Sequence, residues 1–150
     1  MKWVKQSIHY WCPDTKEHKF LGQNVTVAIL DTGISPHPDF KDRILSFRDF
    51  SSTTGSSEKV LFSFSHFSPL IDNSGHGTHV AGILAGSGLL SSGTYAGIAP
   101  FCNLIIGKVL DQNGNGSIKN VINGIQWIRD IYTQFHIRII NISDRKSTRL

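Results

Sequence analysis

The sequence contains little cysteine and no long hydrophobic run. Its two cysteines, Cys12 and Cys102, form neither a C-x-x-C pair nor a zinc-ligand pattern. A disulfide framework is therefore not indicated, and we predict two buried free thiols, with a disulfide between them as the open alternative. No apolar stretch approaches the length of a membrane span, so no membrane partner is predicted.

The N-terminus lacks the features of a secretory signal. After residues 1–6, His, Tyr, Trp and Cys-Pro occur where a signal peptide would carry its apolar core. If Met1 is the native start, the protein is expected to stay in the cytoplasm, with secretion as the alternative. Residues 1–22 are predicted to form an irregular arm, anchored on the domain by Trp3, Tyr10 and Trp11.

The charge pattern lacks a basic stripe. The formal net charge is +4, but half of this excess comes from residues 144–150, and the rest of the chain is nearly balanced. Nucleic-acid binding is therefore rejected. A length of 150 residues with 39% hydrophobic residues is typical of one soluble domain that can bury a core.

Strand-like and helix-like segments alternate along the chain. Helical spacing marks a segment at 76–86 and another after Ser117, a plausible N-cap. Residues 51–68 read as a loop. The alternation predicts an α/β fold with a mainly parallel sheet and helices on both faces. The predicted strands are 24–30, 43–50, 103–110 and 136–143. In the second helix, a one-sided stripe is predicted to be core: Ile118, Val121, Ile122, Ile125 and Ile128.

Two short motifs carry the chemistry. Asp31 ends an apolar strand just before Gly33, and the carboxyl ends of strands are where open α/β sheets place their sites. His76 begins a helix rich in Gly and Ala. Each interior Gly costs about 1 kcal/mol relative to Ala, so such a helix is expected to be closely packed. The alternative interpretation of His76 is a side chain that only caps its own helix.

The segments Val27–Gly33 and His76–Gly82 together resemble the Asp and His motifs of the subtilisin-like serine peptidases, and they occur in that family's order. The resemblance implies a serine endopeptidase that acts on polypeptides through an Asp-His-Ser triad. In this reading, Asp31 orients the imidazole and His76 is the general base. No cofactor is required by this chemistry.

The family's Gly-Thr-Ser-x-Ala nucleophile motif does not occur in these 150 residues. We therefore interpret residues 1–143 as the N-terminal part of a peptidase domain, truncated before the catalytic Ser, and expect the chain alone to be inactive. Residues 144–150 break the family pattern. They match the translation of a DNA word that resembles a sequencing adapter, which predicts a non-native tail. A genuine polar tail is the alternative.

The resemblance also implies a substrate-binding strand. Gly114 and Gly116 match the Gly-x-Gly whose exposed backbone pairs with an extended peptide in the family. Leu110 is a candidate pocket wall, and the backbone of Ser143 is expected to help hold the substrate. Asp39 follows a His-Pro pair at a position that often ligates calcium in the family, which makes it a candidate calcium ligand, but an Asp after Pro is more often a turn former, and that role is favoured here.

The residues leave some alternatives open. Residues 111–116 match half of an EF-hand loop, but position 122 is Ile instead of an acidic ligand, so calcium is not predicted there. A metal hydrolase using Asp31, His76 and His79 is disfavoured, because His-x-x-His on a helix gives poor facing geometry. A non-catalytic, subtilisin-like peptide-binding protein is the main alternative function.

Overall fold

Strands of six residues alternate with helices in the computed structural model, which describes residues 2–8, 10, 20–51 and 72–143. Single 3₁₀ turns at Pro38–Phe40 and Leu89–Ser91 lie in two of the connections. The predicted 51–68 loop and 144–150 tail lie outside the described residues, apart from Ser51. The elements in chain order are α1 (Lys2–Ser7), β1 (Thr26–Asp31), β2 (Ile44–Asp49), α2 (His76–Ala85), β3 (Asn103–Lys108), α3 (Ile118–Ile131) and β4 (Ile137–Ile142).

The strands form one parallel sheet in the order β2-β3-β1-β4. All six residues of β1 are buried, as expected for a central parallel strand that is covered on both faces. Its register places Asp31 beside Lys108 at the carboxyl end of β3. The predicted α/β class with a parallel sheet is confirmed.

Each face of the sheet carries its own apolar core and its own helix. Successive residues of a strand point to opposite faces, so β1 contributes Val27 and Ile29 to one core and Ala28 and Leu30 to the other. Each face of the sheet is therefore covered by a helix, as predicted. Helix α2 packs through Ala81 and Ala85 with Leu104 and Ile106, and α3 packs through Trp127 and Ile128 with Ile105.

Two sequence predictions are wrong in detail. The N-terminal arm is not wholly irregular, since it begins with α1. In α3, Ile118 is 80% exposed, and Ile122 and Ile125 are exposed too. Two other members of the predicted stripe do reach the core, since Ile128 is buried and Val121 packs against it. The buried face of α3 therefore lies to one side of the stripe and also contains Gly124 and Trp127. The predicted Ser117 cap is confirmed, because its side chain accepts a hydrogen bond from Asn120 N at 3.1 Å.

The predicted anchoring by Tyr10 and the predicted state of Cys102 agree with the structure. Tyr10 donates its hydroxyl hydrogen to Ile98 O at 2.8 Å, which ties the arm to the domain. Cys102 is a buried free thiol. Burial raises the pKa of this thiol, although the nearby Arg43 charge acts in the opposite direction. Cys12 and Trp11 lie outside the described residues. Of the helices described, none is long and apolar enough to cross a bilayer.

Candidate active site

Asp31 lies at the carboxyl end of the central strand, where the turn to Gly33 begins. Its side chain is fully buried. Its backbone carbonyl accepts hydrogen bonds from Val109 N at 2.9 Å and Leu110 N at 3.2 Å, so the segment after β3 closes over it. Thr32 N donates to Asp31 Oδ1 at 2.6 Å. These contacts fix the carboxylate at the edge where parallel sheets present their sites.

His76 is the first residue of α2 and contacts Asp31 directly. The Nδ1 atom of His76 lies 2.8 Å from Asp31 Oδ1 and 3.0 Å from Asp31 Oδ2. The preceding Gly75 has a φ of 80°, a conformation that glycine adopts without a Cβ penalty. The His76 side chain is 52% exposed, whereas that of Asp31 is 0% exposed. A buried carboxylate thus holds one nitrogen of an accessible imidazole.

A cavity of about 350 Å³ opens beside this pair. It brings together four of the residues singled out from the sequence, namely His76, Leu110, Gly114 and Ser143. Asp31 lies beneath His76. The remaining lining residues are Thr32, Ser74, Val80 and Asn141.

The Gly114 turn differs from the prediction of free backbone groups. Gly114 N donates to Asp111 O at 3.0 Å, so this donor already serves the turn. Asp111 Oδ1 accepts hydrogen bonds from Asn113 N at 2.8 Å and from Asn115 N at 2.9 Å. The acidic side chain therefore organises the turn, which explains why the segment resembles half of an EF-hand loop. Gly114 is half-buried, with a φ of 77°.

Gly116 is exposed and does not line the cavity. A Cβ atom placed on Gly116 would lie 2.5 Å from Val109 O and 2.6 Å from Leu110 Cδ2. Position 116 therefore needs glycine because the chain packs closely against the residues that follow β3. Its proposed substrate contact stays a prediction.

Asp72 was not assigned a role from the sequence, yet it organises the start of α2. It is buried, and Thr32 Oγ1 donates to Asp72 Oδ1 at 2.8 Å. Burial acts to raise the pKa of Asp72, but hydrogen bonds from Thr78, Thr32 and Gly75 outweigh it and hold this pKa below its usual value. The available signal was an Asp three residues before Gly75 and the helix, a spacing at which an Asp side chain can accept backbone hydrogen bonds from the turn.

Asp39 and His79 lie away from the Asp31 cavity. Asp39 accepts hydrogen bonds from Gly88 N at 3.1 Å and Leu90 N at 3.3 Å, so its carboxylate organises a loop. Calcium at Asp39 remains an untested prediction. His79 is exposed and lines a different cavity; His76 is the histidine that contacts Asp31. Within the described ranges, no group of three or more His, Cys, Asp or Glu side chains is placed to hold a metal ion.

Comparison with known proteins identifies the class. Residues 22–145 match the model of the subtilase family, Peptidase_S8. The chain belongs to this family.

Individual relatives agree with the family match. The chain is 46% identical over 106 residues to serine protease AprX of Bacillus subtilis strain 168, covering 71% of this chain and 21% of AprX. It is 41% identical over 108 residues to the major intracellular serine protease of the same strain, covering 71% of this chain and 30% of the relative. The chain therefore spans between 21% and 30% of the length of these two relatives.

Solved structures share the fold. The Clostridium perfringens CspB protease aligns with a TM-score of 0.72 and 27% identity, over 89% of this chain and 31% of that protein. Sphericase aligns with a TM-score of 0.69 and 28% identity, over 91% of this chain and 42% of that protein.

Proposed function

We propose that this chain supplies the Asp and the His of a subtilisin-like serine endopeptidase. The observation that carries this proposal is the contact between the buried Asp31 carboxylate and His76 Nδ1 at 2.8 Å. With Nδ1 engaged by Asp31, Nε2 is the ring nitrogen left to exchange a proton with a reacting group. The adjoining cavity gives a substrate access to the imidazole.

The proposed reaction is hydrolysis of a peptide bond. His76 Nε2 accepts the proton of a serine hydroxyl as the serine oxygen attacks the peptide carbonyl, and it later gives that proton to the leaving amine. Asp31 stays ionised and stabilises the imidazolium that forms. The serine and an oxyanion-hole donor would come from a segment outside these 150 residues, which contain no Gly-Thr-Ser-x-Ala motif.

The position of His76 at a helix start gives the Asp31 carboxylate a second role. The N-terminal end of a helix disfavours a nearby cation by about 0.3–1 kcal/mol when the site is exposed. His76 is the first residue of α2, so its imidazolium would form against this field. The negative charge of the buried Asp31 carboxylate offsets this effect, because it stabilises the imidazolium that forms when His76 accepts a proton.

The proposed substrate class is a polypeptide, and the cavity lining and the family support this proposal. An extended polypeptide would lie along Leu110, Gly114 and Ser143. The N–H of Ser143 already donates to Leu30 O at 3.2 Å, so its carbonyl and hydroxyl are the groups left for a substrate. No cofactor enters this chemistry. A cytoplasmic location also belongs to the proposal, and the name of one relative, the major intracellular serine protease, supports it.

A chimera tests the proposal. The aligned segment of AprX is replaced by residues 22–143 of this chain, and hydrolysis of casein is measured. The chimera should be active, and His76→Ala should lower kcat/KM by at least about 10²–10⁴-fold, the usual contribution of general acid-base catalysis. His79→Ala is the matched control, because His79 is an exposed histidine on the same helix, and it should leave activity unchanged.

Several outcomes would contradict the proposal. An active chimera that does not need His76, or one inhibited by a chelator and not by a serine-reactive phosphonate, would refute the serine-peptidase assignment. An inactive chimera that still binds casein would favour the peptide-binding alternative. The 150-residue chain alone is expected to hydrolyse no casein, since it lacks the nucleophile motif.

The chain boundaries also remain a proposal. We assign residues 1–143 to the peptidase domain and residues 144–150 to a non-native, adapter-derived tail. Amplifying the native locus by PCR tests the second assignment, and a genomic sequence that encodes residues 144–150 would overturn it.

A further inference from the structure

The carboxylate of Asp72 accepts hydrogen bonds from five donors. Its Oδ1 atom accepts from Thr32 Oγ1 at 2.8 Å, Ser74 N at 3.1 Å and Gly75 N at 2.9 Å. Its Oδ2 atom accepts from Thr78 N at 2.9 Å and from the Thr78 hydroxyl. Because every partner is a donor, only an ionised carboxylate satisfies them all; an amide would place a donor against at least one of them.

Two of these donors form a reciprocal link between the Asp31 loop and the His76 helix. The Thr32 hydroxyl donates to Asp72 and accepts a hydrogen bond from Gly77 N of α2 at 2.9 Å. The Thr78 hydroxyl of α2 donates to Asp72 and accepts from Ser35 N of the loop at 2.9 Å. Each threonine hydroxyl has one hydrogen and donates it in the hydrogen bond to Asp72. The lone pairs of the hydroxyl oxygen are then left to accept a hydrogen bond from the opposite segment.

The link lies next to the proposed catalytic pair. Thr32 directly follows Asp31, and Gly77 and Thr78 are the two residues after His76. We propose that Asp72 is a positioning residue that holds the His76 imidazole against the Asp31 carboxylate by orienting the hydroxyls of Thr32 and Thr78. This inference rests on the proposed function, because it assigns Asp72 a role in the same site.

A simple helix cap would not require this arrangement. The N–H groups of Ser74, Gly75 and Thr78 are the contacts that cap the start of α2, and the hydroxyls of Thr32 and Thr78 are not needed for them. The two hydroxyls instead join the loop after β1 to α2, two segments separated by about 40 positions in the chain. The lowered pKa of Asp72, for which burial alone would predict a rise, agrees with a carboxylate that stays charged in this role.

The protonation state of the His76 ring provides a test that needs no activity. At about pH 8, where histidine is ordinarily neutral, a long-range ¹H–¹⁵N correlation spectrum of the ¹⁵N-labelled chain shows which ring nitrogen carries the proton. His76 should be protonated at Nδ1, because Asp31 accepts from that atom. Asp72→Asn should lose the Nδ1-protonated signal in favour of an Nε2-protonated one.

Three further variants isolate the positioning role. Thr32→Val removes the hydroxyl at nearly constant volume and should lose the same signal, while Thr32→Ser should retain it. Asp39→Asn is the matched control: Asp39 also accepts hydrogen bonds from two loop N–H groups, at Gly88 and Leu90, but these donors belong to a different loop from those of Asp72. It should leave the His76 signal unchanged. The amide signals of β1 and β3 report whether each variant is folded.

The outcomes separate this inference from the proposed function. Retention of the Nδ1-protonated signal in folded Asp72→Asn would overturn the positioning role, as would an equal loss in Asp39→Asn. Unfolding of both Asp72→Asn and Thr32→Val would overturn it as well, because Asp72 would then serve the fold and not the pair. If the spectra behave as expected while the AprX chimera is inactive, the proposed function fails and the positioning of the Asp31–His76 pair stands.

Discussion

Gly77, the second residue of α2, packs against the carbonyl oxygen of Gly33 so closely that a Cβ atom at position 77 would overlap that oxygen. The obstacle is backbone, which cannot rotate away as a side chain could. Gly77 N also donates to Thr32 Oγ1 at 2.9 Å. The loop after Asp31 and the first turn of α2 are thus in backbone contact, and this closeness allows His76 to reach Asp31.

The first prediction is that Gly77→Ala separates these two elements. The added methyl group must displace α2 or the Gly33 loop, so the free energy of unfolding should fall by about 1–3 kcal/mol, the usual range for overpacking. Urea unfolding of the chain measures this change. In the AprX chimera, the same substitution should also lower kcat, because the imidazole moves relative to the carboxylate.

Gly82 provides the control for this prediction. It lies in the same helix, and a Cβ atom there meets nothing within 4 Å. Gly82→Ala should raise the free energy of unfolding by up to about 1 kcal/mol through helix propensity alone. Equal effects of the two substitutions would show that the contact between Gly77 and Gly33 is not limiting.

The second prediction concerns acid stability. The pKa of Asp72 is lowered in the folded protein by its hydrogen bonds, so the ionised carboxylate stabilises the folded state above its unfolded pKa of about 3.9. This stabilisation is lost as the pH falls below about 4 and through the folded pKa. The difference in unfolding free energy between the wild-type chain and Asp72→Asn should be constant from about pH 7 to pH 5 and should shrink below pH 4. A difference that stays constant into strong acid would contradict the depressed pKa.

The sequence was sufficient to predict the Asp31–His76 contact. Asp31 ends an apolar strand-like run just before a glycine turn, and His76 begins a helix that its small residues allow to pack closely on the sheet. Both motifs are local, so their chemistry is visible in a few consecutive residues. The family resemblance added the roles of the two side chains, and the geometry agrees with those roles.

Other features depend on tertiary contacts that no local pattern records. The Asp72 network joins residues around positions 32 and 78, and the local sequence of neither segment indicates that it contacts the other. Helical periodicity correctly grouped Ile118, Ile122 and Ile125 on one face, but it could not tell which face meets the sheet. Gly124 and Trp127 decide that, since Gly124 lies against Leu30 and Val109, and Trp127 contributes to the same core.

The third prediction is that Arg43 cannot be replaced by Lys. Its guanidinium donates to three backbone carbonyls: to Cys102 O at 2.9 Å, to Ala85 O at 2.7 Å and to Asp39 O. These bonds tie the end of α2 to the segments before β2 and β3. A single ammonium cannot match the planar fork, so Arg43→Lys should lower the free energy of unfolding by about 1–3 kcal/mol, the cost of leaving buried carbonyls without a donor.

Arg129→Lys is the control for Arg43. Arg129 is exposed and pairs with the adjacent, exposed Asp130 at 3.1 Å, and such surface pairs contribute little. The two substitutions remove the same chemical group, so their difference in urea unfolding isolates the carbonyl contacts. A loss of stability in Arg129→Lys as large as in Arg43→Lys would contradict this assignment.

The fourth prediction is that β4 causes the isolated chain to self-associate. Within the described sheet, β4 is an edge strand, and Ile139 on it is 54% exposed. An exposed apolar edge is a template for pairing with another chain, and a lysine on such an edge opposes it. Ile139→Lys should therefore lower the apparent mass in light scattering at high protein concentration without lowering the unfolding midpoint.

Ile137→Lys is the control, because Ile137 is only 8% exposed and a charge there should unfold the chain. If Ile139→Lys leaves self-association unchanged, the contact lies elsewhere, and the exposed face of α3 at Ile118 and Ile122 is the next surface to substitute.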